Sequence, residues 1–151
     1  MMAGIGIDHV NLKVRDLETS RRFYELVGFR QSGHREGMLF FTLGGHHHHL
    51  GLYQVGPEAP GAAKEAVGML HFCINVEEEA ELGTLARKVE EAGYRVLTTV
   101  DHVVSKSVYL RDPDGNVLEL AYNLPRAEWE HLDNPLGIDR PYSLPGEEAA
   151  E

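Results

Sequence analysis

Three short strings occur twice in this chain, in the same order, and that duplication constrains the fold more than any other feature. His9-Val10-Asn11-Leu12-Lys13-Val14 aligns with His71-Phe72-Cys73-Ile74-Asn75-Val76 at an offset of 62 (71 − 9). Gly28-Phe29-Arg30 aligns with Gly93-Tyr94-Arg95 at 65 (93 − 28), and Leu50-Gly51-Leu52 with Leu118-Glu119-Leu120 at 68 (118 − 50). A slowly growing offset is what a duplicated module with small loop insertions produces, and a repeat of this length sets the architecture before any single element is considered.

Each copy reads strand-helix-strand-strand-strand. Ile5–Val14 alternates apolar and polar residues, with Ile7, His9, Asn11 and Lys13 on one face, a period-two pattern of strand type. Asp16 offers an N-cap to an amphipathic helix over Leu17–Val27, which Gly28 ends. Phe29–His34, Met38–Leu43 and His46–Val55 read as strands. In the second copy Met69–Val76 is a strand, Glu77–Ala92 a helix with Leu82, Leu85, Ala86 and Val89 at helical spacing, and Tyr94–Val100 a strand. Val108–Asn123 is a β-hairpin turning at Asp112-Pro113-Asp114-Gly115, where proline presets one turn residue and glycine accepts a positive φ. The expected fold class is α+β: two βαβββ modules in tandem, with curled mixed sheets around a metal cleft. The expected boundaries are 1–55 for the first module, 56–68 for a Pro/Gly linker in which Lys64–Val67 adds a helical turn, 69–123 for the second module, and 124–151 for a tail over the surface with a fraying acidic end.

A chain of 151 residues suffices for one domain or two small modules. Its net charge of −10 argues against nucleic acid or an anionic membrane as the main partner. The single cysteine, Cys73, rules out an internal disulfide and fits a reducing compartment. The N-terminus lacks a basic region followed by an apolar run, and no stretch approaches the roughly 20 apolar residues of a membrane helix. The expected setting is the cytoplasm.

The repeat makes His9 equivalent to His71, and Gly51 equivalent to Glu119. Glu119 stands between two leucines, a costly place for a carboxylate unless water, an arginine or a metal pairs with it. If two such modules face one cleft, His9, His71 and Glu119 converge as two imidazoles and one carboxylate. That set leaves open positions on Fe(II) or a similar divalent ion. Each residue alone has a plainer reading: a hydrogen-bonded core histidine for His9 or His71, and an ion pair with Arg111 for Glu119. The shared register favours the metal over three separate coincidences.

His46-His47-His48-His49 resembles an affinity tag, but it is internal and short. Strand alternation places His49 on the face of Gly51 and turns His48 away unless a bulge intervenes, and a histidine beside a metal-bound substrate is a natural proton shuttle near pH 7. Tyr109, on the opposite arm of the hairpin from Glu119, reads equally as a core aromatic and as a donor to an oxyanion. His34 and His102 read as surface histidines. Cys73 shares a face with His71 and has no base beside it to make it a nucleophile. Phe41, Phe72 and Tyr122 are expected to line the cleft. Trp129 caps the cleft or a partner surface, or packs in the core.

IDHVNLKVRDLETSRRFYE near the start, GMLHFCINV at the head of the second copy and YLRDPDGNVLEL near its end resemble the vicinal oxygen chelate superfamily. This is the group of glyoxalase I, bleomycin- and fosfomycin-resistance proteins, methylmalonyl-CoA epimerase and extradiol dioxygenases. The resemblance spans Ile5–Asn123. It implies paired βαβββ modules and His9, His71 and Glu119 as metal ligands. Glyoxalase I carries a second carboxylate where this chain has Gly51, so a three-ligand site fits better. Type I extradiol dioxygenases place a histidine pair just before the fourth strand and a tyrosine ten residues before the ligand glutamate, as HHHHLGLY and Tyr109 do here. That alignment puts His48 on the acid-base histidine, whereas strand parity puts His49 there. Those enzymes usually have four modules, so this chain resembles their catalytic half. The implied activity is ring cleavage of a catechol-type aromatic with O2 and Fe(II), with Mn, Ni, Co or Zn as alternative metals and a homodimer as the expected assembly. The alternatives are a glyoxalase, lyase or epimerase metalloenzyme of the same superfamily, or a non-catalytic small-molecule binder of the resistance type.

Overall fold

The computed structural model describes residues 6–146. The chain divides into two compact units between Gly61 and Ala62. The first contains β1 (Val10–Val14), α1 (Leu17–Leu26), β2 (Arg30–Arg35), β3 (Met38–Thr42) and β4 (Leu50–Gln54). The second contains β5 (Phe72–Val76), α2 (Glu79–Glu91), β6 (Val96–Asp101), β7 (Ser105–Arg111) and β8 (Val117–Asn123). It continues with a short helix α3 (Arg126–Trp129), a 3₁₀ turn at Pro135–Gly137 and β9 (Arg140–Pro141).

Both units share one topology, to which the second adds β9. The first sheet runs β1-β4-β3-β2 and the second β5-β8-β7-β6-β9. Outer strand β1 pairs in parallel with β4, and β5 with β8, while the remaining neighbours are antiparallel. The registers match the repeat: Val10 lies opposite Leu50, and Phe72 opposite Leu118. Asn11 therefore faces Gly51 as Cys73 faces Glu119.

Helix α1 begins where expected because Asp16 accepts from the Thr19 backbone N–H and hydroxyl, both at 2.7 Å. Its apolar side buries Phe23 and Tyr24 with Leu12 and Val14 of β1 and Leu50 and Leu52 of β4. In the second unit Glu81 of α2 accepts from the backbone N–H groups of Glu77 and Glu78 at 3.0 and 2.9 Å, which satisfies donors the first turn cannot use itself. Leu82, Ala86 and Val89 of α2 form the core with Val108, Leu110, Leu118 and Leu120. The expected turn at Asp112–Gly115 is built around Asp112, whose carboxylate accepts from the N–H groups of Asp114 and Asn116 and from the Asn116 side-chain amide. Gly115 adopts φ +95°.

The structure departs from the sequence reading in several places. Residues 6–9 lie outside β1, and His46–His49 form the bends of a turn rather than the start of β4. Gly44 and Gly45, at φ +120° and +67°, reverse the chain there, and the His49 N–H closes the reversal onto the Phe41 carbonyl at 2.7 Å. Lys64–Val67 contains a hydrogen-bonded turn but no helix. Phe41 is fully buried in the first unit's core and lines no open face. The tail is part of the second unit. Its β9 extends the sheet by pairing with β6, the Thr99 hydroxyl donates to the Tyr142 carbonyl, and the Tyr142 hydroxyl donates to Glu79 of α2 at 2.9 Å. Glycine at position 83 is what lets the tail approach α2, since a Cβ there would run into the Pro145 carbonyl. The acidic stretch Glu147–Glu151 and the start of the expected first strand at Ile5 lie outside the described residues. None of the described helices is long and apolar enough to cross a membrane.

Candidate functional site

The alternation of β8 resolves the problem of a carboxylate between two leucines. Leu118 and Leu120 point into the core and are fully buried, so Glu119 points to the opposite face. Register then decides its company. Tyr109 of β7 and Cys73 of β5 are its direct cross-strand partners. His71, two residues before Cys73, keeps the same parity, as does Ser107, two residues before Tyr109.

Glu119 is only 8% exposed. One carboxylate oxygen accepts from the Ser107 hydroxyl at 2.6 Å, and the other lies 3.0 Å from His71 Nε2. Arg111 is not its partner, because that guanidinium donates to the Gly115 carbonyl at 3.1 Å. Among the described residues, His71 is the ion-pair partner of Glu119. A half-exposed imidazole nitrogen converging on a buried carboxylate oxygen is a donor pair that suits a divalent cation.

Tyr109 packs edge-on against His71, with ring centroids 5.5 Å apart. Desolvation first, and then the Glu119 charge, push its hydroxyl up to about 12, so it stays protonated at neutral pH. The Tyr109 oxygen is 2.9 Å from His102 Nε2, and His102 Nδ1 is 2.6 Å from an Asp139 carboxylate oxygen. An ionised Asp139 only accepts, so Nδ1 carries the proton. In the neutral ring Nε2 then accepts from the Tyr109 hydroxyl. His102 is therefore not the free surface histidine expected. It sits in the tight β6–β7 connection, where Val103 holds φ +69° and donates its N–H to Asp101 at 2.7 Å. A β-branched residue at positive φ is strained. Desolvation and the neighbouring Glu119 push the Cys73 thiol up to about 12 although its side chain reaches the surface, which matches its reading as unreactive.

In the first unit, His9 directly precedes β1 as His71 precedes β5. Its Nδ1 is 2.6 Å from Asp8, and its ring lies 4.4 Å from that of His48. His48 also meets the edge of Phe40 at 5.1 Å. Desolvation, then the charges of His9 and His47, lower the His48 pKa and favour its neutral form. His49 is engaged elsewhere: its Nδ1 accepts from the Leu43 N–H at 3.1 Å and lies 3.2 Å from the Thr42 hydroxyl. The strand parity argued for His49 does not operate, because the run is a turn. At Gly51, the place equivalent to Glu119, an added Cβ would collide with the Asn11 side chain.

Ser107, His102, Asp139 and Asp8 are missing from the sequence-derived set. Ser107 was readable, since it shares parity with Tyr109, and Asp8 adjoins a candidate ligand. Asp139 had no signal, because the β9 pairing that brings it to His102 is long-range. Trp129 is half-buried, donates to the Leu124 carbonyl at 3.2 Å and lines a cavity of about 510 Å³ with Val104, Leu124 and Leu136.

Tandem βαβββ units with ligand-type side chains on the faces turned away from their helices define a protein of glyoxalase/dioxygenase type. The chain belongs to the Glyoxalase/Bleomycin resistance protein/Dioxygenase superfamily, which matches residues 6–120. It is 34% identical over 111 residues to a catechol-2,3-dioxygenase of Bacillus subtilis, a match covering 71% of this chain and 37% of that protein. It is 28% identical over 116 residues to biphenyl-2,3-diol 1,2-dioxygenase 3 of Rhodococcus globerulus, covering 74% of this chain and 60% of the relative. The chain thus spans less than two thirds of the length of these relatives. Among solved structures, a lactoylglutathione lyase from Agrobacterium tumefaciens matches with a TM-score of 0.59 and 27% identity, over 78% of this chain and 92% of that one.

Proposed function

We propose that this chain is a metal-dependent ring-cleaving dioxygenase acting on a catechol-type aromatic with O2. In this reading His71 and Glu119 are two metal ligands. His9 is the third, supplied by a first module of the same chain or of a second copy. The observation that carries the reading is the buried Glu119 carboxylate, joined to His71 at 3.0 Å and flanked by a protonated Tyr109. The shared register of His9 and His71 ahead of paired parallel strands supports the third ligand. The donor set fits Fe(II) best, with Mn, Ni, Co or Zn as substitutes. When bound, such an ion supplies a positive centre with open positions for a chelating diol and for O2.

The side chains contribute the rest. Ser107 donates to one Glu119 oxygen and leaves the other for the metal. Tyr109 stays protonated, and its one hydroxyl proton turns from His102 Nε2 to a developing oxyanion, an interaction whose loss typically costs ~10²-fold or more in rate. His102 and Asp139 hold the Tyr109 hydroxyl in place. His48, in its neutral form, accepts a substrate proton, and we assign this role to it rather than to His49 because its ring lies 4.4 Å from that of His9, the proposed third ligand. A homodimer in the cytoplasm completes this reading.

Protein reconstituted anaerobically with Fe(II) and exposed to O2 is expected to open members of a catechol panel, seen as oxygen uptake together with a ring-cleavage chromophore. Metal binding without ring opening refutes the dioxygenase assignment. A lyase or epimerase reading is favoured by one observation, the 92% coverage of the lactoylglutathione lyase chain. It predicts activation by Ni, Co or Mn without oxygen uptake. The absence of a carboxylate at Gly51 weighs against it. Absence of stoichiometric metal on His71 and Glu119 indicates a non-catalytic binder instead.

A further inference from the structure

The first unit holds a further cluster of ligand-type side chains, made of residues other than His71 and Glu119. Asp8, His46 and His47 each offer one ligand atom, and these atoms all lie within 4.8 Å of one another. His46 Nε2 is 2.8 Å from Asp8 Oδ1, and His47 Nε2 is 4.0 Å from Oδ2. The two imidazoles lean on each other with centroids 3.9 Å apart, so consecutive residues present their Nε2 atoms to one carboxylate. A local hydrogen-bond frame holds this arrangement. The Thr42 hydroxyl donates to the His46 carbonyl at 2.8 Å, the His49 N–H donates to Phe41, and the Val10 N–H donates to the His49 carbonyl.

The His46 Nε2 atom is closed off from solvent and makes no hydrogen bond of acceptable geometry, although a carboxylate oxygen stands 2.8 Å away. A buried polar nitrogen without an aligned partner calls for an explanation. An ion between the nitrogen and the oxygen provides one. Donors about 2.0–2.2 Å from a tetrahedral centre stand roughly 3.4 Å apart. The 2.8 Å between His46 Nε2 and Asp8 Oδ1 is shorter than that spacing and the set as a whole lies within 4.8 Å, so small side-chain rotations reach it.

We propose that Asp8, His46 and His47 bind a second divalent cation of borderline character, of the Zn²⁺ type, with water completing its coordination. Two imidazoles and one carboxylate suit such an ion and suit Mg²⁺ or Ca²⁺ poorly, since those prefer all-oxygen sites. Asp8 Oδ1 faces the ion, while Oδ2 stays on His9 Nδ1 at 2.6 Å.

The test uses the full chain carrying H71A and E119Q, so that two of the three ligands of the other proposed site are absent and His9 alone remains of it. Zn²⁺ is titrated against a chromophoric chelator, with circular dichroism to verify folding of each variant. One equivalent is expected to bind. D8N, H46Q and H47Q, each added singly, are expected to weaken binding by about tenfold or more, while H48A, which removes a contact to His47 Nδ1 at 2.6 Å but no ligand, weakens it less. Failure to bind one equivalent overturns the proposal. So does an affinity in D8N equal to that of its parent, or a loss in H48A as large as in H46Q, because either result describes loose chelation by a histidine run.

Discussion

Glu119→Gln separates a ligand from a structural ion pair, because the two roles predict opposite behaviour with and without metal. The substitution keeps the side-chain shape and removes the charge. In metal-free protein it forfeits the charge-assisted bond from Ser107 at 2.6 Å, worth about 1.5–3 kcal/mol. It also removes the desolvation penalty of an ion that is 8% exposed, which costs several kcal/mol. These contributions oppose each other, so the metal-free variant is expected within about 1 kcal/mol of the parent. Metal changes the comparison. An ion that binds only the native state at about a hundred times its Kd stabilises by ~2.7 kcal/mol, and each kcal/mol moves Tm by roughly 2–4 °C in a chain of this size. The parent should therefore gain about 5–10 °C with saturating Mn²⁺, and the variant under about 2 °C. The assay is anaerobic differential scanning fluorimetry in an H46Q/H47Q background, which silences the cluster around Asp8. An undiminished Mn²⁺ shift in the variant would refute Glu119 as a ligand. A metal-free Tm lower by more than about 10 °C would instead make the Glu119–His71 pair structural.

Four further outcomes follow from the geometry. Asp16→Ala removes the acceptor for both Thr19 groups at the start of α1 and should cost ~1 kcal/mol in urea unfolding. Leu82→Ala empties a fully buried position of α2 and should cost about 2–5 kcal/mol in the same assay. Gly83→Ala would gain roughly 1 kcal/mol in an unobstructed helix. Here the Pro145 carbonyl blocks the methyl group, so the variant is expected to lose stability and to expose the tail to limited proteolysis. Asp101 is desolvated, which raises its pKa, but the ion pair with Lys106 and the bond from the Val103 N–H together outweigh this and leave it lowered. A depressed carboxylate contributes stability above the unfolded pKa of about 3.9, and loses it as pH falls through the folded value. The urea-midpoint gap between parent and Asp101→Asn should therefore be widest near pH 6 and close as pH drops below about 4.

The duplication, the element order and the parity of Glu119 were all legible in the amino-acid sequence. Each depends on a local period or on comparing the chain with itself. A strand alternates every second residue wherever it sits, so Leu118, Glu119 and Leu120 divide between core and open face before any partner is known. Register followed as well, because the offsets of 62 and 68 reappear in the pairing of Val10 with Leu50 and of Phe72 with Leu118. The histidine run misled because apolar alternation continues through Leu50–Tyr53 and invites extension of the strand backwards. Hydrogen bonds from Thr42, Leu43 and His49 end it earlier.

Only tertiary structure laid the ring of His48 against His9 and turned the Nδ1 of His49 to the Leu43 N–H. It also made His102 a partner of Tyr109 rather than a surface residue. That change needs Asp139, 37 residues away, brought close by a two-residue strand that no local pattern announces. Residues that act through their own strand period are visible in one dimension. Those that act through a turn's hydrogen bonds or a distant β-pairing become visible only once the chain has folded back on itself.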